Sequence, residues 1–404
     1  MLAALVCASP VAAQTLPLGS ISIISGGGPN SCAGYNNPAS QSYRAIDPTM
    51  QQCFVAQVNC PNADSLQFIY GYWSPQGTPA GTIVTLTGDG GTYASTPAFS
   101  TLYIPAYEAA NYQIVEVAWG PVTPGVAWEI ANSAQNSNTT PSIINAACRV
   151  ATFIHFVKAN LWTANGMCVH SNSGGAAGLA YALTWYGEAA DLNKVLMENG
   201  PVYSRIDLGC EVPNGNQTTV CAQGTTQTGC NTATWPLVNG QTQQFSLEYV
   251  PQNASDVNLW TGNTGPACAN GQGITTTYNQ SWYGMSILSG NQPVHQNFNY
   301  LNTKMSAWLC QTVSKSGASL NNSTGQGGEY YAEFTQQSQA GGLMSVNGVV
   351  CTTSEDIEEG TTFYNNTNYN GQNCNPQTHI CNTAWQALRD DMINISGRAC
   401  NPNF

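Results

Sequence analysis

Gly166-Met167-Cys168-Val169-His170-Ser171-Asn172-Ser173-Gly174-Gly175-Ala176-Ala177-Gly178-Leu179-Ala180-Tyr181-Ala182-Leu183-Thr184-Trp185-Tyr186-Gly187 runs from a short apolar segment through small residues into a helical pattern. The order reads strand, very tight turn, helix, with Leu179, Leu183 and Tyr186 on one helical side. Such a turn lifts a serine hydroxyl above the end of a sheet. It needs small residues two before and two after that serine, because those positions approach each other closely. The usual spacing is G-x-S-x-G; here it is Ser171-x-Ser173-x-Gly175, with Ser in place of the first Gly. Centring the turn on Ser171 instead would put the β-branched Val169 in a position that requires a small residue. Ser173 is therefore the candidate nucleophile.

Working outward, short apolar runs alternate with helical stretches, the pattern of a largely parallel sheet covered by helices. Expected strands are Leu66–Tyr70, Thr82–Leu86, Gln113–Trp119, Met167–Ser171, Lys194–Met197, one of Tyr283–Leu288 or Met305–Leu309, and Leu343–Val350. Most are rich in Val, Ile and Leu rather than alternating, as strands buried on both faces are. Helices are expected over Pro141–Leu161, Gly175–Tyr186 and Thr383–Ile395, each with apolar residues at helical spacing. The fold class is thus α/β. Residues 210–268 differ: they are rich in Gly, Thr, Gln and Asn, without Lys, Arg or strong periodicity. They read as a disulfide-braced cap or lid insertion between an N-terminal part (14–209) and a C-terminal part (269–404) of one domain. A surface excursion with no part in binding is the other reading.

Composition narrows the class further. Charged residues make up 7% of the 404, against roughly 25% in an average soluble protein. A content of 42% hydrophobic and 10% aromatic residues excludes a disordered chain. Nine basic residues and a net charge of −12 offer no footprint for a phosphate backbone, so nucleic acid is excluded as a partner. No stretch beyond the start is long and apolar enough to span a bilayer. Residues 1–13 form a short apolar segment ending in Val11-Ala12-Ala13, as the late part of a signal peptide does. The segment lacks a basic start, and a buried N-terminal strand is the other reading. Removing Cys7 with it leaves 14 of the 15 cysteines, an even number scattered without the CxxC spacing of zinc sites. Disulfides formed outside the cytosol are expected, Cys221/Cys230 and Cys374/Cys381 being close enough for local staples. The chain is expected to be secreted, extracellular or periplasmic.

The run Ala180–Gly187, with Val195-Leu-Met-Glu-Asn-Gly-Pro201 and Cys210 after it, resembles bacterial secreted hydrolases of the α/β-hydrolase superfamily. The order of elements from about Leu66 onward resembles them too. The resemblance implies an oxyanion hole in the Gly-rich loop after Thr82–Leu86, Gly88-Asp89-Gly90-Gly91-Thr92. By position the donors would be the amides of Gly91 (or of Gly90 or Thr92) and Gly174. It also implies the chain order Ser, acid, His. Among the four histidines, His155 lies inside a helical stretch and His170 precedes the serine on the other strand face. His379, on a loop before the last helix, is preferred to His295 as the general base. Asp207 is the first candidate for the acid, with Glu355 and Asp356 as alternatives, because no carboxylate follows Met305–Leu309 before Glu329.

The implied reaction is acyl transfer from a small-molecule or polymeric ester to water, through an acyl-enzyme on Ser173. No metal or organic cofactor is expected. The other readings are a serine peptidase on the same fold, and a secreted surface or carbohydrate-binding protein without catalysis.

Overall fold

The computed structural model describes residues 15–28, 31–35, 45–88, 91–94, 96–120, 122, 127–129, 143–163, 165–198, 221–222, 244–245, 287, 300, 303–311, 344–350, 361–363, 380–381 and 384–397. The strands, in chain order, are β1 (Ser20–Gly26), β2 (Gln52–Asn59), β3 (Leu66–Trp73), β4 (Thr82–Leu86), β5 (Gln113–Ala118), β6 (Met167–Asn172) and β7 (Lys194–Glu198). They continue with β8 (Cys221–Ala222), β9 (Gln244–Phe245), β10 (Lys304–Gln311), β11 (Met344–Val350), β12 (Thr361–Phe363) and β13 (Ile380–Cys381). The α-helices are α1 (Ile104–Ala109), α2 (Ile143–Asn160), α3 (Gly174–Tyr186) and α4 (Ala384–Gly397).

All strands but β8 and β9, which pair with each other, join one sheet ordered β1-β2-β3-β5-β4-β6-β7-β10-β11-β12-β13. The stretch from β5 to β11 is parallel throughout. Antiparallel strands extend it on both sides: β3, β2 and β1 beyond β5, and β12 and β13 beyond β11. The fold is α/β, a mostly parallel sheet flanked by helices.

The strand sequences explain the layering. Every residue of β4, β5 and β7 is buried, so both faces of these strands are covered and Ile, Val, Leu and Met fill most of their positions; the polar Thr82, Thr85, Gln113, Glu116, Lys194 and Glu198 are buried with them. Successive side chains still enter different cores. Val84, Val115, Val169 and Val195 pack with α2 and α3. Ile83, Ile114, Cys168 and Leu196 pack on the other face with Phe99, Tyr103, Tyr107 and the Ala387, Leu388 and Met392 side of α4. Helix α3 is buried along its whole length, which its small-residue composition permits. It ends at Gly187 in the left-handed conformation (φ 78°), a turn that glycine makes without steric cost.

Among the described residues Cys32 is joined to Cys53 and Cys60 to Cys148, and Cys168 is also disulfide-bonded. The Cys60–Cys148 bridge spans 88 residues and ties the segment after β2 to α2.

The expected strands over 66–70, 82–86, 113–119, 167–171, 194–197 and 343–350 appear as β3 to β7 and β11, and Met305–Leu309 lies inside β10. Of the rival Tyr283–Leu288 only Ile287 is described. The three expected helices appear as α2, α3 and α4. The reading from Leu66 onward omitted β1 and β2, and it did not foresee that β3 runs antiparallel to β5. No described helix is long and apolar enough to cross a membrane. Residues 1–13, and 210–268 apart from β8 and β9, lie outside the described residues.

Candidate active site

The chain leaves β4 for β5 on one side, then returns to place β6 on the other side of β4 and continues outward through β7, β10 and β11. This reversal makes β4/β6 a topological switch point, where open sheets leave a crevice at the C-terminal strand ends. Ser173 follows β6 directly, and Gly88 lies just beyond the end of β4. The two meet there: a Cβ on Gly88 would sit 3.0 Å from Ser173 Cβ and 3.5 Å from Ser173 Oγ.

Ser173 has φ 47° and ψ −124°. Among the described residues only Asn62 and Asn111 are other non-glycine residues with positive φ, and Asn tolerates the left-handed region. The ψ of Ser173 places it outside that region, in backbone space that costs on the order of 1–3 kcal/mol. Its neighbours impose this. The Ser173 N–H donates to the Glu198 carbonyl at the end of β7 (3.1 Å), and the Ser173 carbonyl accepts from Ala176 (2.9 Å) and Ala177 (3.3 Å). Gly175 lies so close to β4 that a Cβ there would fall 2.1 Å from the Leu86 carbonyl oxygen. The Trp128 indole N–H donates to the Gly174 carbonyl at 3.2 Å. The turn is therefore fixed from both flanking strands and from a buried tryptophan, while Ser173 itself stays partly exposed.

Ser171, the other serine of the motif, is buried, and its hydroxyl donates to the Leu196 carbonyl at 3.0 Å. It lines the base of the turn.

Gly174 is the first residue of α3, so its N–H has no carbonyl one turn earlier in the helix to bond. That amide and the positive end of the helix dipole lie beside Ser173. Gly91 has φ 72°, and a Cβ there would sit 2.3 Å from Trp119 Cδ1. Its carbonyl accepts from the Trp119 N–H (2.7 Å), and its own N–H donates to the Gly88 carbonyl (2.9 Å). The Thr87 hydroxyl donates to the Tyr93 carbonyl, and the Gly120 N–H to the Thr92 carbonyl (3.2 Å). The loop after β4 is thereby tied to the end of β5 and holds Gly88 against Ser173. Gly90 lies outside the described residues, as do His379, His295, Asp207, Glu355 and Asp356.

Beneath the turn, on the opposite sheet face, His170 is fully buried. Its Nδ1 is 2.7 Å from the Tyr107 hydroxyl and its Nε2 is 2.9 Å from Glu198 Oε2. Burial, and then the negative charge of Glu198, holds the Tyr107 hydroxyl well above the usual phenol range, so it stays protonated. A neutral imidazole fits when Tyr107 donates to Nδ1 and Nε2–H donates to Glu198. The rings of Phe99 and Tyr103 enclose His170, each with its centroid 4.6 Å away. Glu198 thus serves the turn twice: its carbonyl fixes the Ser173 amide and its carboxylate anchors His170. Sequence reasoning missed Gly88, Glu198 and Tyr107. A carboxylate at the end of the strand beside the motif strand is the one signal that points to Glu198.

No family model matches the chain, and no curated protein matches it. Among solved structures, it is similar to an esterase from Aspergillus oryzae (12% identity, 93% of this chain and 87% of that one, TM-score 0.41). It is also similar to acetyl xylan esterase 1 from Thermoanaerobacterium sp. JW/SL YS485 (10% identity, 78% and 80%, TM-score 0.38). A third similar structure is a bacterial heroin esterase (12% identity, 73% and 74%, TM-score 0.35). The strand order, with its switch point at β4/β6 and a serine held at positive φ between β6 and α3, gives the chain an α/β-hydrolase-type fold.

Proposed function

We propose that this chain is a secreted serine hydrolase that cleaves carboxylic esters through an acyl-enzyme on Ser173. The observation that carries the reading is the backbone of Ser173, held at φ 47° and ψ −124° between a buried strand and a buried helix while the residue stays partly exposed. A strained conformation fixed by this many neighbours, at a switch point of the sheet, fits a positioned nucleophile.

In the proposed reaction Ser173 Oγ attacks the ester carbonyl carbon. The oxyanion is received by the Gly174 N–H and by an amide of the 88–91 turn, with Gly91 the donor carried over by position. Gly91 would exchange its bond to Gly88 for one to the oxyanion. His379 takes the hydroxyl proton and passes it to the departing alcohol, then activates the water that releases the acid. Asp207, or Glu355 or Asp356 in its place, orients His379. These four assignments rest on chain order alone. Residues 1–13 are assigned to an export signal, 14–209 and 269–404 to the hydrolase domain, and 210–268 to a cap over the site. The disulfides Cys32–Cys53 and Cys60–Cys148 support an oxidising compartment.

Chromogenic esters of graded acyl length, set against peptide anilides, test this reading. Ester turnover that vanishes in Ser173→Ala supports it. Turnover of anilides alone would make the chain a peptidase, and turnover of neither by folded protein would leave it a binding protein.

A further inference from the structure

Helix α3 carries Ser173 at its start, and the turn Glu188–Asp191 follows its end, about 20 Å away along the axis. There, His155 on α2, Glu188 and Asp191 each offer a donor atom, and the three atoms lie within 4.8 Å of one another. His155 Nδ1 and Asp191 Oδ2 are 3.0 Å apart. Glu188 is 3% exposed, and its Oε2 is buried without a hydrogen-bond partner. A buried carboxylate oxygen without a donor costs free energy that a cation would recover. Two carboxylates this close repel each other as well, and burial together with the Asp191 charge raises the proton affinity of Glu188 well above the usual range.

We propose that His155, Glu188 and Asp191 bind one Zn²⁺ ion that fastens α2 to the end of α3. One imidazole and two carboxylates are a zinc donor set, and with bonds of about 2.0–2.2 Å a tetrahedral ion holds donors roughly 3.3 Å apart. His155 Nδ1 and Asp191 Oδ2 already stand near that spacing, and the Glu188 oxygen lies within 4.8 Å of both. His155 is exposed at the surface and opens the entry path, and the fourth position falls to water. The imidazole disfavours Ca²⁺ and Mg²⁺, which take oxygen donors. The nearby cation is Lys158, one turn along α2, whose ammonium sits 3.4 Å from the centroid of the Trp162 ring rather than on either carboxylate. The site lies at the far end of α3 from Ser173 and does not depend on how that serine is read.

The test is titration of tag-free full-length protein with Zn²⁺ by calorimetry, with melting temperature as a second readout. The expected result is one ion per chain and, at about 100-fold excess over the dissociation constant, a Tm rise of about 3 °C. His155→Gln and Glu188→Gln should each weaken binding at least about tenfold, as loss of one ligand does. His155→Gln changes an exposed side chain, so it keeps the test sound if the buried substitution disturbs folding. Absence of binding to folded protein, or binding that both variants retain at full strength, overturns the proposal. Equal affinity for Ca²⁺ would overturn the assignment to zinc.

Discussion

Gly175→Ala adds one methyl group to the turn that holds Ser173, and the structure sets its cost. The new Cβ would meet the Leu86 carbonyl oxygen at 2.1 Å, the Leu86 carbonyl carbon at 2.5 Å and the Thr87 carbonyl oxygen at 2.8 Å. All three are backbone atoms of β4 and its exit, so relief requires the helix start to retreat from the sheet by more than an ångström. Overpacking against yielding side chains costs about 1–3 kcal/mol, and rigid backbone lies at the upper end. We expect a loss of about 3 kcal/mol in denaturant unfolding. The same retreat moves Ser173 relative to Gly88 and Gly174, so reaction with a fluorophosphonate should slow by about 100-fold, the effect of an ångström misplacement. Gly178→Ala, one turn on, is the control. The nearest atoms to its Cβ would belong to the Trp128 and Val150 side chains, at 3.0 Å, rather than to backbone, and Ala favours the helix. Its stability should stay within about 1 kcal/mol of the parent. If Gly175→Ala matches the parent in both stability and labelling rate, the account of the turn is wrong.

Two further perturbations probe what surrounds the turn. His170→Phe keeps the aromatic packing against Phe99 and Tyr103 but takes from Glu198 and Tyr107 their imidazole partner. Breaking a buried pair from one side should cost about 3–5 kcal/mol in chemical denaturation, and an unchanged midpoint would refute the role given to the network. Glu116, buried on β5, is held well above the ordinary carboxyl value by burial and then by the charge of Asp47, although the Asp47 N–H bond opposes this. With its folded pKa raised, its contribution to stability is complete below the usual Glu range and declines as pH rises through the raised value. Melting temperature should therefore fall from pH 5 towards pH 8 in the parent and fall less in Glu116→Gln; parallel curves would contradict the assignment.

The central fold was legible because its strands are buried on both faces. Runs such as Thr82–Leu86 and Lys194–Met197 are buried at every position and rich in Ile, Val and Leu, and the sheet is built from them. β1 reads Ser-Ile-Ser-Ile-Ile-Ser-Gly and is mostly exposed, so its apolar content marks no core, and it pairs only with β2. α1 hides for the opposite reason: Tyr107 within it and Tyr103 just before it look half-polar in sequence and are fully buried in the structure. At the site, steric spacing alone separated Ser173 from Ser171, since the approach of Gly175 to β4 follows from local geometry. The Glu198 contacts were not legible. They depend on the β6/β7 register that sets Asn172 beside Glu198, and that register joins residues far apart in the chain. The Tyr107–His170 contact likewise spans 63 residues. The base and acid were assigned from chain order, which carries no distance information.

The most direct test of the account is mass-spectrometric mapping of the fluorophosphonate adduct on the folded, disulfide-intact protein. One adduct per chain is expected, on Ser173 Oγ, absent in Ser173→Ala and sharply reduced in His379→Ala. An adduct on Ser171 or on another residue, or none on folded protein, would contradict it.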